Sequence, residues 1–451
     1  MSWRKTVAVI AVCLLGLPAA EAADYLITDY GAVADTAVLS TEAIQRAIDE
    51  CSDAGGGRVV IPAGMYKTGS IRLRSRVHIH LESGATLFGS TDLADYRKEK
   101  PDYVSLRTQT STVQLIYADG EEDVVIDGYG TIDGQGRVFP KLQETDEGIT
   151  RPHLMRFICC KGVTVSGVTL RNSGCWMQHY LACDDVRISG VRVFNRNNYN
   201  NDALDLDGCH NVVVSDLIAD SDDDGITLKS TSPRCCENVA ISNCVVSSRC
   251  NAIKLGTETN GGFRNISITG CVVKPSQVQT PKYFGFDHGI SAISLEIVDG
   301  GVMENVSVSG IVVEGTESPI FIRLGNRARP YCEGQVIDKV GTIDGVRISD
   351  VVVRGCGSVG CSVTGLPGHP VRNVALRGIT ILQKGGCGEV PVPEDEKETS
   401  YPESTMWGDL PASGFFVRHA ENVTLEDVSV RCIESDSRPL FVFEDVVCGE
   451  R

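Results

Sequence analysis

One short pattern of apolar and polar positions returns ten times along the chain. It begins with Asn, Asp or Gly, continues as Val or Ile alternating with polar residues, takes a polar step and closes on a second apolar pair. The copies read "DVVIDGYGTI", "GVTVSGVTL", "DVRISGVRV", "NVVVSDLIA", "NVAISNCVV", "NISITGCVV", "NVSVSGIVV", "GVRISDVVV", "NVALRGITI" and "NVTLEDVSV". Their first β-branched residues are Val124, Val163, Val186, Val212, Val239, Ile266, Val306, Val346, Val374 and Val423, at gaps of 39, 23, 26, 27, 27, 40, 40, 28 and 49. Alternation at period two marks a strand with one buried face. Its return at intervals near the shortest gaps, with few helical patterns between, marks a solenoid whose coils bury one another's apolar faces. The pattern predicts an all-β, single-stranded parallel β-helix with about three short strands in each coil. The longer gaps predict inserted loops or a skipped coil. A β-sandwich or propeller would need hairpin turn signals and more even spacing.

Two segments depart from the strand pattern. "STEAIQRAIDECSDAGGG" predicts a helix that caps the solenoid, with Ser40 or Thr41 at its start, Ala43, Ile44, Ala47 and Ile48 on its apolar face, and glycines at its end. Residues 388–413, polar and Pro-rich, predict a surface loop. No linker divides the chain. Residues 1–22 read as an export signal: Arg4 and Lys5, an apolar run from Thr6 to Leu17, then Ala20-Glu21-Ala22 as a cleavage pattern. The remainder, 23–451, is expected to be one β-helix domain, secreted or periplasmic, and monomeric. The apolar run is too short to span a bilayer.

The formal net charge of -17 disfavours nucleic acid and anionic membranes as partners. It leaves room for an acidic substrate in a locally basic pocket. The chain has 18 cysteines. Many lie in strand-like runs, Cys183, Cys209, Cys244 and Cys271 among them, where a thiol acts as a small buried hydrophobe. With no zinc-like spacing, a few bridges at most and no cysteine metal site are expected.

"YNNDALDLDGCHNVVVSDLIADSDDDGITLKS" concentrates aspartates in a strand-forming region. Carboxylates resist burial and repel one another. Stacked coils give a reason for the cluster. Asp202 and Asp223 are close to one coil apart, so they fall on neighbouring rungs about 4.8 Å apart. With a sideways offset, two carboxyls approach the separation of about 6.5–9.5 Å that lets an inverting glycosidase seat a water between acid and base. Asp205, Asp207, Asp216 and Asp220 read as turn caps.

The same residues resemble the polygalacturonase-type glycoside hydrolases, family 28. The resemblance covers most of the chain after residue 22. "ITDYGAVAD…STEAIQRAIDECSDAGGGRVVIPAGMYKTGSIRLRSRVHIHLESGATLFGS", "DVVIDGYGTIDGQG" and "LRNSGCWMQHY" are similar to successive family signatures. Asn200-Asn201-Asp202 matches its Asn-Thr-Asp motif, and Asp223-Asp224-Gly225 its Asp-Asp-Cys motif. The resemblance implies a right-handed β-helix and hydrolysis with inversion. Asp223 would protonate the leaving oxygen, and Asp202 and Asp224 would activate the water, with no metal or other cofactor. It also implies substrate contacts from Asn200, Trp176 and His179, the last two in a Trp-x-x-His pattern.

Two motifs depart from the family. Its Gly-His-Gly aligns with Cys250-Asn251-Ala252, so Asn251 takes the histidine's place. Its Arg-Ile-Lys aligns with Ser294-Leu295-Glu296, so the cations that grip a galacturonate carboxylate are missing and Glu296 would repel one. Lys229, Lys254, Arg323 and Arg327 are candidates for relocated cations. The sequence therefore predicts a hydrolase of a pectin-type polysaccharide with galacturonate in its backbone, and favours rhamnogalacturonan over homogalacturonan. A calcium-dependent pectate lyase and a non-catalytic carbohydrate-binding or adhesin β-helix are the alternatives.

Overall fold

A computed structural model describes residues 24–110, 112–140, 151–277 and 286–447. The expected leader, 1–22, lies outside the described residues. The described strands pair in parallel, each with a strand one coil away, and they stack into a single solenoid. The ten β-branched positions form one continuous column. Val124 pairs with Val163, then the register runs through Val186, Val212, Val239, Ile266, Val306, Val346, Val374 and Val423. Every gap is thus one coil. The long gaps are inserted loops, and no coil is skipped.

The residue that opens each repeat has a reason to be Asn, Asp or Gly. Asp123, Asp185, Asn211, Asn238, Asn265, Asn305, Asn373 and Asn422 all lie at φ between 53° and 57°, and Gly162 and Gly345 are also positive. This left-handed backbone is costly for most side chains and cheap for these. The stacked amides then bond coil to coil: Asn238 to Asn211 at 3.2 Å, Asn265 to Asn238 at 3.0 Å and Asn305 to Asn265 at 2.8 Å.

Inside, Val, Ile and Leu from successive coils make one core. The cysteines join it. Cys160, Cys183, Cys209 and Cys236 occupy one column, continued by Phe263 and Met303. All cysteines among the described residues are free thiols. The cap helix spans Thr41–Asp53 and buries Ala43, Ile44, Ala47, Ile48 and Cys51 over the first coil. Ser40 does not cap it with its side chain, because its hydroxyl oxygen accepts the Val33 N–H instead. The 388–413 segment is not a free surface loop. Glu403, Leu410 and Ala412 are buried, the latter two packing with Val359 and Phe416.

Candidate active site

The site grows from one ladder on the outer face of the solenoid. The carbonyls of Trp176, Asp202, Asp224 and Asn251 accept the N–H groups of Leu154, Met177, Ala203 and Gly225 at 3.3, 3.0, 3.0 and 2.8 Å. These four residues therefore hold equivalent positions on consecutive coils. A second column three residues on carries His179, Asp205, Thr227, Lys254 and Ser294. Strand alternation sends Leu204, Leu206, Leu228 and Leu255 into the core and leaves these polar side chains outside.

The turn before Asp202 is built from amides. Asn195 Nδ2 donates to the Asp202 carbonyl at 2.9 Å, and Asn201 Nδ2 donates to the Ser173 and Cys175 carbonyls at 3.1 and 3.0 Å. Asn200 sits at φ 50°, its side-chain Oδ1 accepting from Arg151 at 2.9 Å. Asp223 lies in the turn beside Asp224, where Ser221 and Ser248 donate to its backbone carbonyl at 2.9 and 2.6 Å.

Arg107, Cys175, Trp176, Asn200, Asp202, Asp223, Asp224, Lys229, Glu258, Arg329 and Tyr401 line a cleft of about 510 Å³. Its carboxylates are in unlike surroundings. Burial and the neighbouring Asp224 push Asp223 up to about 6. Burial acts to raise Asp224 too, but Lys254 at 3.1 Å, Lys229 and the Asn251 amide outweigh it and hold the carboxyl below its ordinary value. Burial, Asp205 and Asp223 drive Asp202 well up. Asp205 stands at about 8 through burial, against the pull of Lys229. Lys229 is the hub of this group, with its ammonium 3.8 Å from Asp202, 3.7 Å from Asp205 and 3.6 Å from Glu258. Arg107 also reaches Glu258, at 3.1 Å.

The structure brings some of the expected residues together and separates others. Asp202, Asp223, Asp224, Asn200, Lys229 and Trp176 share the cleft. Trp176 offers little ring to a sugar, being 4% exposed with the Arg107 and Lys229 cations each 4.7 Å from its centre. Asn251 and Lys254 are fully buried behind Asp224 and act on it rather than on a ligand. His179 is also buried, 3.1 Å from Asp207, and burial lowers it to about 4. Arg323 is spent on the 388–413 segment, donating to the Glu396 carbonyl at 2.6 Å and lying over Trp407 at 5.0 Å. Arg327 is held by Asp299, at 3.0 Å through its Nε.

Two expectations are corrected. Glu296 does not face a ligand; it is fully buried and accepts the Ser294 hydroxyl at 2.6 Å. Asp205 caps no turn, since it lies on strand Leu204–Asp207 beside Lys229. The sequence reading missed Arg107, Glu258, Arg329, Tyr401 and Glu403. Arg107 comes from the short helix Leu106–Thr110, the others from distant loops or from the irregular end of strand Asn251–Thr259, where pairing shifts register, and no local pattern marks them.

Fold and site together place the molecule among parallel β-helix proteins that carry a carboxylate cleft on one flank. The model of glycosyl hydrolases family 28 matches residues 51–391, and the chain belongs to that family. A Vitis vinifera protein named "Probable polygalacturonase" is 31% identical over 214 residues, 45% of this chain and 44% of that protein. The match thus spans less than half of that relative's length. The exopolygalacturonase structure from Thermotoga maritima superposes with a TM-score of 0.66 at 22% identity, covering 80% of this chain and 87% of that one. The family 28 exopolygalacturonase structure from Yersinia enterocolitica gives 0.68 at 19%, covering 94% and 78%. At these identities the likeness concerns the fold, a right-handed parallel β-helix.

Proposed function

We propose that this chain hydrolyses a galacturonate-containing pectin backbone with inversion at the anomeric carbon. One observation carries the reading: in a single cleft Asp223 is raised to about 6 while its neighbour Asp224 is held ionised. A pair of carboxyls pushed apart in this way supplies an acid and a base at the same pH. Asp223 donates its proton to the glycosidic oxygen as the bond from that oxygen to the anomeric carbon breaks. Asp224 takes a proton from the water that attacks the opposite face, and Asp202, whose own proton burial retains, helps to orient that water. Both groups return to their starting states by exchange with solvent.

The cations support a uronate. Arg329 is 40% exposed at the cleft and Arg107 lies beside it, both joined to Glu258. Glu296 is buried and bonded to Ser294, so it does not oppose a galacturonate carboxylate in the cleft. The lyase reading is weaker, because Lys229 and Lys254 already neutralise the carboxylates a calcium ion would need. We further propose that residues 1–22 direct export and that the chain is a secreted monomer. Among the described residues no helix is long and apolar enough to cross a membrane. Proton NMR of the first products from homogalacturonan and from rhamnogalacturonan tests the function. Inverted anomers support it. Retained anomers, or unsaturated products lost on chelation, reject it.

A further inference from the structure

Strand Val77–Leu81 carries two histidines two positions apart. Val77, Ile79 and Leu81 fill the core, so His78 and His80 share the outer face, where both are half-buried. Asp127, on strand Glu122–Gly128 of the next coil, stands opposite His80. Both imidazoles converge on its Oδ1, His80 through Nδ1 at 2.6 Å and His78 through Nε2 at 2.7 Å. The two rings are nearly perpendicular, at 89°. His80 forms a hydrogen bond there, whereas His78 Nε2, shielded from solvent, is not aligned for one. This cluster lies on a different sheet from the cleft, the sheet that continues through strand Lys161–Ser166. Nothing in the proposed hydrolysis uses it.

We infer that His78, His80 and Asp127 form a binding site for a divalent transition metal, with Zn²⁺ the best match. Two imidazole nitrogens and one carboxylate oxygen are a borderline donor set that suits zinc and its neighbours, and hard cations such as calcium prefer oxygen alone. Ligand bonds of about 2.0–2.1 Å in a tetrahedron place donor atoms about 3.3 Å apart. The three donors here lie within 4.8 Å of one another, with both nitrogens already at 2.6 and 2.7 Å from the oxygen, so seating the ion asks only for a small opening. Water completes the coordination from the groove lined by His80, Asp127, Tyr129 and Thr169. The nearby Arg58 is offset by Asp24 at 2.6 Å. The ion would tie two neighbouring coils close to the capped end, and binding to the folded state alone stabilises that state.

Calorimetry with ZnCl₂ on the chain with any affinity tag removed tests this. One Zn²⁺ per chain is expected, with a raised melting temperature and, on Co²⁺ substitution, visible absorption of tetrahedral strength. Asp127→Asn should weaken Zn²⁺ binding by about tenfold or more, and the His78→Ala/His80→Ala double variant should abolish it. Unchanged turnover of polysaccharide in the double variant shows that it has folded. Absence of stoichiometric binding in the wild type overturns the inference. So does binding that persists unchanged in the double variant, which would place the ion on the free thiols.

Discussion

Asn251 grips Asp224 twice: its backbone N–H at 3.1 Å and its Nδ2 at 2.9 Å both donate to Asp224 Oδ1. Lys254 holds the other oxygen at 3.1 Å. The carboxyl is thus oriented and kept ionised by groups that do not titrate near neutrality. The residue that replaces the family's histidine works on the proposed base.

Removing this grip has a predictable cost. A hydrogen bond to a charged group contributes about 1.5–3 kcal/mol. Asn251→Ala should therefore lower kcat by about 10- to 100-fold with little change in KM. Steady-state kinetics on polygalacturonate checks this, and a raised KM with normal kcat would move Asn251 from positioning to substrate binding.

Asp223→Asn removes the proton donor while keeping the side-chain volume. The rate should fall by about 10²- to 10⁴-fold with the melting temperature nearly unchanged. A variant of near-normal turnover would pass the acid role to another cleft carboxyl.

The pH profile follows from the same pair. Asp224 is lowered, so the base stays ionised down to acidic pH. Asp223, raised to about 6, loses its proton above that value. The specificity constant kcat/KM should be highest in mildly acid solution and fall about tenfold per pH unit well above 6. A plateau to pH 8 contradicts the proposed acid.

Stability should share this direction. Burial raises Asp205 and Glu403 to about 8 in the folded chain. The folded state then holds protons that the unfolded chain releases near pH 4. Their contribution is full below that pH and is lost as pH rises toward 8. The melting temperature should decline from pH 5 to pH 8, and Asp205→Asn with Glu403→Gln should flatten that slope in calorimetry.

Arg329 provides the test of the substrate's charge. Losing its contact should raise KM for polygalacturonate about tenfold or more. The Arg329→Met variant should leave KM unchanged on the carboxyl-reduced polymer. Equal effects on both polymers would show that Arg329 does not read the carboxylate.

The repeat and the acidic motif were readable because each is local. Strand alternation, Asn, Asp or Gly at a left-handed turn, and an aspartate one coil before an aspartate pair are short-range patterns with a physical cause. The register of the ten columnar residues followed from that pattern, as did the three aspartates of the cleft. The cations were less readable. Lys229 was one of four candidate cations and is the one that lines the cleft, whereas Arg107 and Arg329 enter from remote segments with no spacing to betray them. Arg323 and Glu296 share the outward register of their strands, yet a packed segment and a neighbouring Ser294 hydroxyl take them out of the cleft.

By itself the sequence determined a solenoid with Asp202, Asp223 and Asp224 gathered on one flank, because the coils around that motif, 23 to 27 residues each, convert spacing along the chain into proximity. Tertiary structure alone decided the protonation of those carboxyls and which cations face the ligand. Both depend on burial and on charges brought within 4 Å by segments far away in sequence, such as Arg107 from helix Leu106–Thr110 and Glu403 from residues 388–413. Electrostatic energy depends on distance through space and on exclusion of water, and neither is written in local pattern.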